Sequence, residues 1–261
     1  MNFIEFLKEA FSVLKKNPKL FIPNIALAIF YGFLQLELAK LLLELTWFNS
    51  LEMSEAVLHV ERLQAIFGFS LFLLALFLAG FLLNILVSGM YPRLVQDVYS
   101  KKKISFREAF AYSKKRFFLL LAAIAVSVLI PSLAVSLIFM ELLRSIGTPM
   151  FVPLAVIAVA ATFLGFFLFY LPFSSAVLGE NKLKTVFTES FSLTKKNPLT
   201  ISKAAFFPFV LSVFNFALAF LADEPAFFAL FWVTKMFIAV IATYSFVLNP
   251  TIYLGLKGEL K

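Results

Sequence analysis

Cysteine is absent from this chain and histidine occurs once, at His59. Without thiols there are no disulfides, no thiol nucleophile, no thiolate metal site and no cysteine-ligated iron–sulfur cluster. A single histidine rules out two-histidine zinc motifs within the chain. No Gly-rich phosphate-cradling loop and no serine nucleophile elbow is present either. No catalytic residue, metal site or cofactor is therefore predicted, and an enzyme is the least supported function class. Acidic residues are also few, 15 against 23 Lys and Arg. What abounds is apolar: 62% hydrophobic residues, 36 of them Phe, and a mean hydropathy of +0.95. A soluble domain of 261 residues cannot hide that much apolar surface, so the composition specifies a membrane protein.

Crossing about 30 Å of hydrocarbon takes about 20 apolar residues in a helix. Six segments meet this requirement, at about 20–46, 64–90, 117–140, 150–178, 200–221 and 227–255. Segments 1–19, 92–116, 180–198 and 256–261 hold 18 of the 23 Lys and Arg, and the opposite side carries mainly Glu and Asp. By the positive-inside rule both termini are expected in the cytoplasm. The opening residues intersperse Glu5, Lys8, Glu9, Lys15 and Lys16 among apolar ones. That pattern lacks the apolar core and cleavage site of a signal peptide, so the first membrane helix is expected to be retained.

The chain repeats itself. Ala10-Phe11-Ser12-Val13-Leu14-Lys15-Lys16-Asn17-Pro18 returns as Ser190-Phe191-Ser192-Leu193-Thr194-Lys195-Lys196-Asn197-Pro198, and more loosely as Ala109-Phe110-Ala111-Tyr112-Ser113-Lys114-Lys115-Arg116-Phe117. Such self-similarity reduces the number of independent parts. The expected fold is an all-α integral membrane protein, one membrane domain over residues 1–261. It has six transmembrane helices from three parallel two-helix repeats, about 1–100, 101–180 and 181–261. Each repeat reads as an amphipathic interfacial helix, an outward helix, an external turn and an inward helix closed near Pro92, Pro172 or Pro250. Repeats that all enter from one side are related by an axis along the membrane normal.

Phe11, Phe110 and Phe191 fall at helical spacing with other apolar residues, each followed by a lysine pair: Lys15 and Lys16, Lys114 and Lys115, Lys195 and Lys196. A helix of this kind lies in the interface plane, rings among acyl chains and ammonium groups near phosphates. Membrane lipids with anionic headgroups at the cytoplasmic face are the expected partners. Lysines suit the carboxyl end of the lead-in helix, while Asn17 and Asn197 are expected to cap the next helix and the proline to occupy its first turn. The motif is then an elbow. A ring of lysine pairs gathering anions at a cytoplasmic mouth is the competing reading, and nucleic acid is not indicated.

Charges within the spans are costly and usually face a bundle interior. Lys235 and Glu37 lie at similar predicted depth, so one expectation is that they pair. The other is that Glu37, Lys40 and Glu44 form a solvated stripe while Lys235 snorkels past Trp232. Lys235, Glu37, Asn84 and Asn215 are the candidate substrate or ion path. Further polar residues at Asn24, Gln35, Ser88, Thr162, Ser174, Ser175, Thr234, Thr243 and Asn249 suit interhelical hydrogen bonds. Pro131 and Pro208 should kink or open their helices. Glu55 and His59 offer an external ion site or, more simply, part of a solvated helix face.

The elbows at Phe11 and Phe191 resemble those of prokaryotic polytopic proteins similar to the membrane domain of glycerophosphodiester phosphodiesterases. That resemblance covers most of the chain, implies a six-helix integral domain in a prokaryotic cell membrane, and implies no activity. Mitochondrial carriers are similar in using three two-helix repeats around a central path, although their acidic motif after the odd-helix proline is missing. Two function classes follow: a transporter or channel for a small solute, ion or lipid along a pseudo-threefold axis, and a non-catalytic membrane module that organises lipids or binds another membrane protein or a second copy.

Overall fold

The computed structural model describes residues 2–49, 60–179, 182–219 and 228–260, and every regular element among them is helical. In chain order these are α1 (Phe3–Lys16), α2 (Ile22–Asn49), α3 (Val60–Tyr99), α4 (Phe106–Lys115), α5 (Phe117–Ile124), α6 (Ile130–Arg144), α7 (Phe151–Leu168), α8 (Pro172–Leu178), α9 (Leu183–Lys196), α10 (Pro198–Ala219) and α11 (Phe228–Leu256). Among the described residues, Pro18–Trp47, Glu61–Tyr99, Phe151–Leu178 and Phe228–Leu256 are long and apolar enough to cross a membrane; Phe117–Ser127 and Pro198–Ser212 are shorter apolar helices. Only 6% of the most apolar stretch of Phe151–Leu178 is buried within the chain. Apolar surface bared to that extent belongs in lipid.

Local sequence accounts for the lead-in helices. Asn2 and Glu5 form a reciprocal capping box at the start of α1, Glu5 N donating to Asn2 Oδ1 at 3.0 Å and Asn2 N to Glu5 Oε2 at 2.9 Å. Ser105 accepts from Glu108 N to start α4. The asparagines of the elbows act in the opposite direction from that expected. Asn17 Nδ2 donates back to Val13 O at 3.0 Å and Asn197 Nδ2 to Leu193 O at 3.1 Å. They close the helix before them, because the last carbonyls lack donors, while the following prolines bring no N–H that needs capping.

Prolines also depart from expectation. Pro92 and Pro250 lie inside α3 and α11, which continue to Tyr99 and Leu256. Only at Pro172 does the helix break, between α7 and α8. Pro131 does open its helix as expected, a π-helical turn over Ala125–Leu129 separating α5 from α6 just before it, whereas Pro208 lies inside an uninterrupted α10. The wider turn absorbs the donor that proline removes. Gly165 of α7 lies so close to Pro131 that an added Cβ would come within 3.2 Å of its ring.

Contacts divide the chain into two compact units. One comprises residues 1–20, 85–211 and 242–261, the other 21–84 and 212–241. In the smaller unit α2 and the first part of α3 pack through Leu34, Leu41, Ile66 and Leu73, and Gly32 admits the Trp232 ring. In the larger unit each lead-in helix is hydrogen-bonded to another helix. Ser113 of α4 donates to Leu86 O of α3 at 2.9 Å. Ser175 of α8 donates to Glu189 of α9 at 2.9 Å. Tyr244 of α11 donates to Leu7 O of α1 at 2.8 Å, and Gly255 makes room for Phe6.

Close approach at Gly89 is the most testable of these contacts. An alanine Cβ there would lie 2.3 Å from Ser113 Oγ and 2.8 Å from Leu120 Cδ1, whereas one at Gly68 meets nothing within 4 Å. Gly89→Ala is expected to lower stability in mild detergent by about 1–3 kcal/mol through overpacking. Gly68→Ala should leave it unchanged or raise it, since alanine is the better helix former; equal unfolding curves for the two variants would contradict the docking of α4 on α3.

Candidate functional site

The interfacial residues predicted from the repeat lie at the surface. Lys15, Lys16, Lys114, Lys115, Lys195 and Lys196 are all exposed, as are Phe11 and Phe191, with Phe110 half-buried. The residue before each phenylalanine is the one that is buried: Ala10, Ala109 and Ser190 have no accessible surface. Small side chains there let the lead-in helix approach its neighbour closely and turn its ring outward.

The predicted polar path is only partly assembled. Lys235 is 5% exposed, and its Nζ donates to Gln35 Oε1 at 2.7 Å. It pairs with neither Glu37 nor the solvent. Glu37 instead accepts from Lys40 Nζ at 2.6 Å on an exposed face, and Arg62 reaches Glu44 at 3.8 Å while covering the Trp47 ring. Glu37, Lys40 and Glu44 thus lie on an exposed face of α2, whereas Lys235 is buried on Gln35 and does not reach past Trp232 to the surface. Residues 35 and 37 are two apart on a helix and project in different directions, so matching Glu37 to Lys235 by depth alone ignored the angle around the axis. Asn84 is half-buried on α3. The side chain of Asn215, together with Glu55 and His59, lies outside the described residues.

A second site went unselected in the sequence. Within the larger unit a cavity of about 170 Å³ is lined by Ser88 and Pro92 of α3, by Phe166, Phe169, Tyr170, Phe173 and Ser174 about the α7–α8 break, by Pro208 of α10, and by Ser245, Phe246, Asn249 and Pro250 of α11. Ser174 donates to Asn249 Oδ1, and Asn249 Nδ2 donates to Tyr170 O, a carbonyl released by the break at Pro172. The Tyr170 hydroxyl is buried close to Asn249. The Phe246 ring stacks on Tyr91, with centroids 5.4 Å apart. No ionisable carboxylate, amine or guanidinium lines the space. Hydroxyl and amide groups facing aromatic and proline walls can hold a small neutral molecule by hydrogen bonds and cannot neutralise an ion. The signal was present in the sequence: Ser88, Ser174 and Asn249 each lie within four residues of Pro92, Pro172 or Pro250.

One ion pair joins α9 to the end of α11. Glu189 of α9 accepts from Ser175 and lies 2.8 Å from Lys257 Nζ, just past the end of α11. Partial burial alone would raise the Glu189 carboxyl, but hydrogen bonds from Lys257, Ser175 and Tyr253 and the ammonium charge outweigh it and hold the group below its ordinary value. Lys257 shows the complement: partial burial would lower it, and the Glu189 carboxylate holds it above its ordinary range. The two directions agree, and the pair ties α9 to the end of α11 at neutral pH.

Gln35→Leu is expected to cost about 1–3 kcal/mol by leaving the Lys235 ammonium without its acceptor, and to be non-additive with Lys235→Met in a double-mutant cycle. Glu37→Gln should change stability by less than about 0.5 kcal/mol and add simply to Lys235→Met. Coupling of Lys235 to Glu37 in unfolding measurements would contradict this assignment. No family model, curated protein or solved structure matches the chain.

Proposed function

We propose that the chain crosses a prokaryotic cell membrane six times, as three parallel two-helix repeats with both termini cytoplasmic, and passes a small uncharged polar solute through the cavity between Ser88, Ser174 and Asn249. The observation that carries this reading is the lining of that cavity: hydrogen-bonding side chains among aromatic and proline walls, free of ionisable carboxylates and amines. Desolvating a neutral solute there is offset by the hydroxyl and amide groups, whereas an ion would meet no compensating charge.

Three contacts support the repeat arrangement. The lead-in helix α4 rests on α3, α9 on α8 and α1 on α11. Each rests on the inward helix of the repeat before it, and the first rests on that of the last, as a closed ring requires. The cavity draws most of its walls from the same three inward helices, with Pro208 of α10 added. Exposed lysine pairs beside exposed Phe11 and Phe191 support contact with anionic headgroups at the cytoplasmic face.

A second reading has its own observation. Phe166, Phe169, Phe173 and Phe246 share the cavity with the polar groups, which favours a closed, lipid-organising membrane module over a path. Light-scattering measurements of water, glycerol and urea flux in proteoliposomes separate the two. Flux of at least one of these above protein-free vesicles is expected, and Asn249→Leu should slow it about tenfold by removing the hydrogen-bonding pair with Ser174. No flux for any of the three would exclude passage and leave the module.

A further inference from the structure

A cleft of about 660 Å³ opens in the larger unit between the first elbow and the loop after α3. Lys16, Lys19, Lys101, Lys102 and Lys103 line it, and no acidic residue does. Its wall also carries Leu20, Val98, Ile104 and Phe106. The nearest carboxylate in sequence, Asp97, is buried and faces Arg93 at 3.4 Å. Two of the backbone carbonyls here are engaged within the fold: Leu20 O accepts from Tyr91 Oη at 2.8 Å and Val98 O from Lys101 N at 3.0 Å.

The backbone supplies an independent sign that charge is wanted there. After α3, Lys102 N bonds Asp97 O and Lys101 N bonds Val98 O, a Schellman closure that places Lys101 at φ +54°. After α11, Glu259 N bonds Leu254 O and Gly258 N bonds Gly255 O, the same closure with glycine at φ +75°. Glycine adopts this conformation without strain, and a lysine side chain is disfavoured in it. A strained residue whose ammonium belongs to a five-lysine cleft is a functional signature rather than a structural one.

We propose that this cleft binds the headgroup of an anionic lipid bearing a phosphomonoester or paired phosphates. A headgroup with two or more negative charges matches the excess of ammonium groups, and the apolar wall receives the start of an acyl chain, which a free phosphate lacks. The triple lysine at 101–103 has no counterpart in the other two repeats, so the site is single and independent of the solute cavity.

Purified full-length protein in neutral detergent, titrated with dioctanoyl phosphatidic acid, dioctanoyl phosphatidylcholine and inorganic phosphate, tests the proposal. Saturable binding of phosphatidic acid only is expected. It should weaken about fivefold in Lys101→Gly and about 25-fold in Lys101→Gly/Lys103→Gln, and stay within about twofold in Lys114→Gln/Lys115→Gln. Lys101→Gly relieves the backbone, so its melting temperature should hold or rise while binding falls, separating lost binding from lost fold. Equal affinity in all variants, equal weakening by the Lys114 pair, or equal binding of phosphatidylcholine would overturn the site. Inorganic phosphate bound as tightly as phosphatidic acid would overturn the lipid as its source.

Discussion

Lipid offers a backbone no hydrogen-bond partner, so each place where a helix of this chain bends or breaks must be closed from within. Side chains do this repeatedly. Tyr91 reaches Leu20 O at the first elbow, Tyr112 reaches Val177 O, and Arg116 Nη1 spans Ala176 O and Gly179 O at the end of α8. Asn249 takes up the carbonyl that the break at Pro172 sets free. Tyrosine and arginine suit the task because each brings an apolar or stacking body together with one polar end. The guanidinium of Arg116 also lies against the Tyr112 ring. These bonds tie elements distant in sequence, so satisfying the backbone and assembling the larger unit are one process.

The same constraint explains where polarity sits. Charged pairs such as Glu37 with Lys40, Glu141 with Arg144 and Glu189 with Lys257 lie at exposed or peripheral positions. The cavity among the proline-bearing helices keeps only hydroxyls and an amide. Among the described residues two charges are buried: Asp97, which faces Arg93, and Lys235, which is satisfied by a neutral partner. In the proposed function this division is the selectivity: hydrogen-bonding groups at the centre and cations at the rim.

Much of this was legible in the sequence, because it followed from period and composition. The helices, the elbows with their exposed lysine pairs and the amphipathic lead-ins emerge from the spacing of Phe11, Phe110 and Phe191. Details that depend on angle or on tertiary partners did not. Burial of Ala10, Ala109 and Ser190 instead of the phenylalanines depends on which helix each lead-in meets. Continuation of α3, α10 and α11 through Pro92, Pro208 and Pro250 depends on how neighbours accommodate lost donors. Asn17 and Asn197 sit between two helices, and a sequence does not tell which of them a side-chain amide will serve. Strain at Lys101 was invisible because a residue's name carries no φ.

Orientation of the three elbows is the claim on which the proposed repeat, ring and lipid contacts all rest. Because the chain has no cysteine, single cysteines at Lys15, Lys114 and Lys195 can each be labelled in sealed vesicles with a membrane-impermeant maleimide. All three are predicted to react from the same, cytoplasmic side; one of them reacting from the other side would contradict the account.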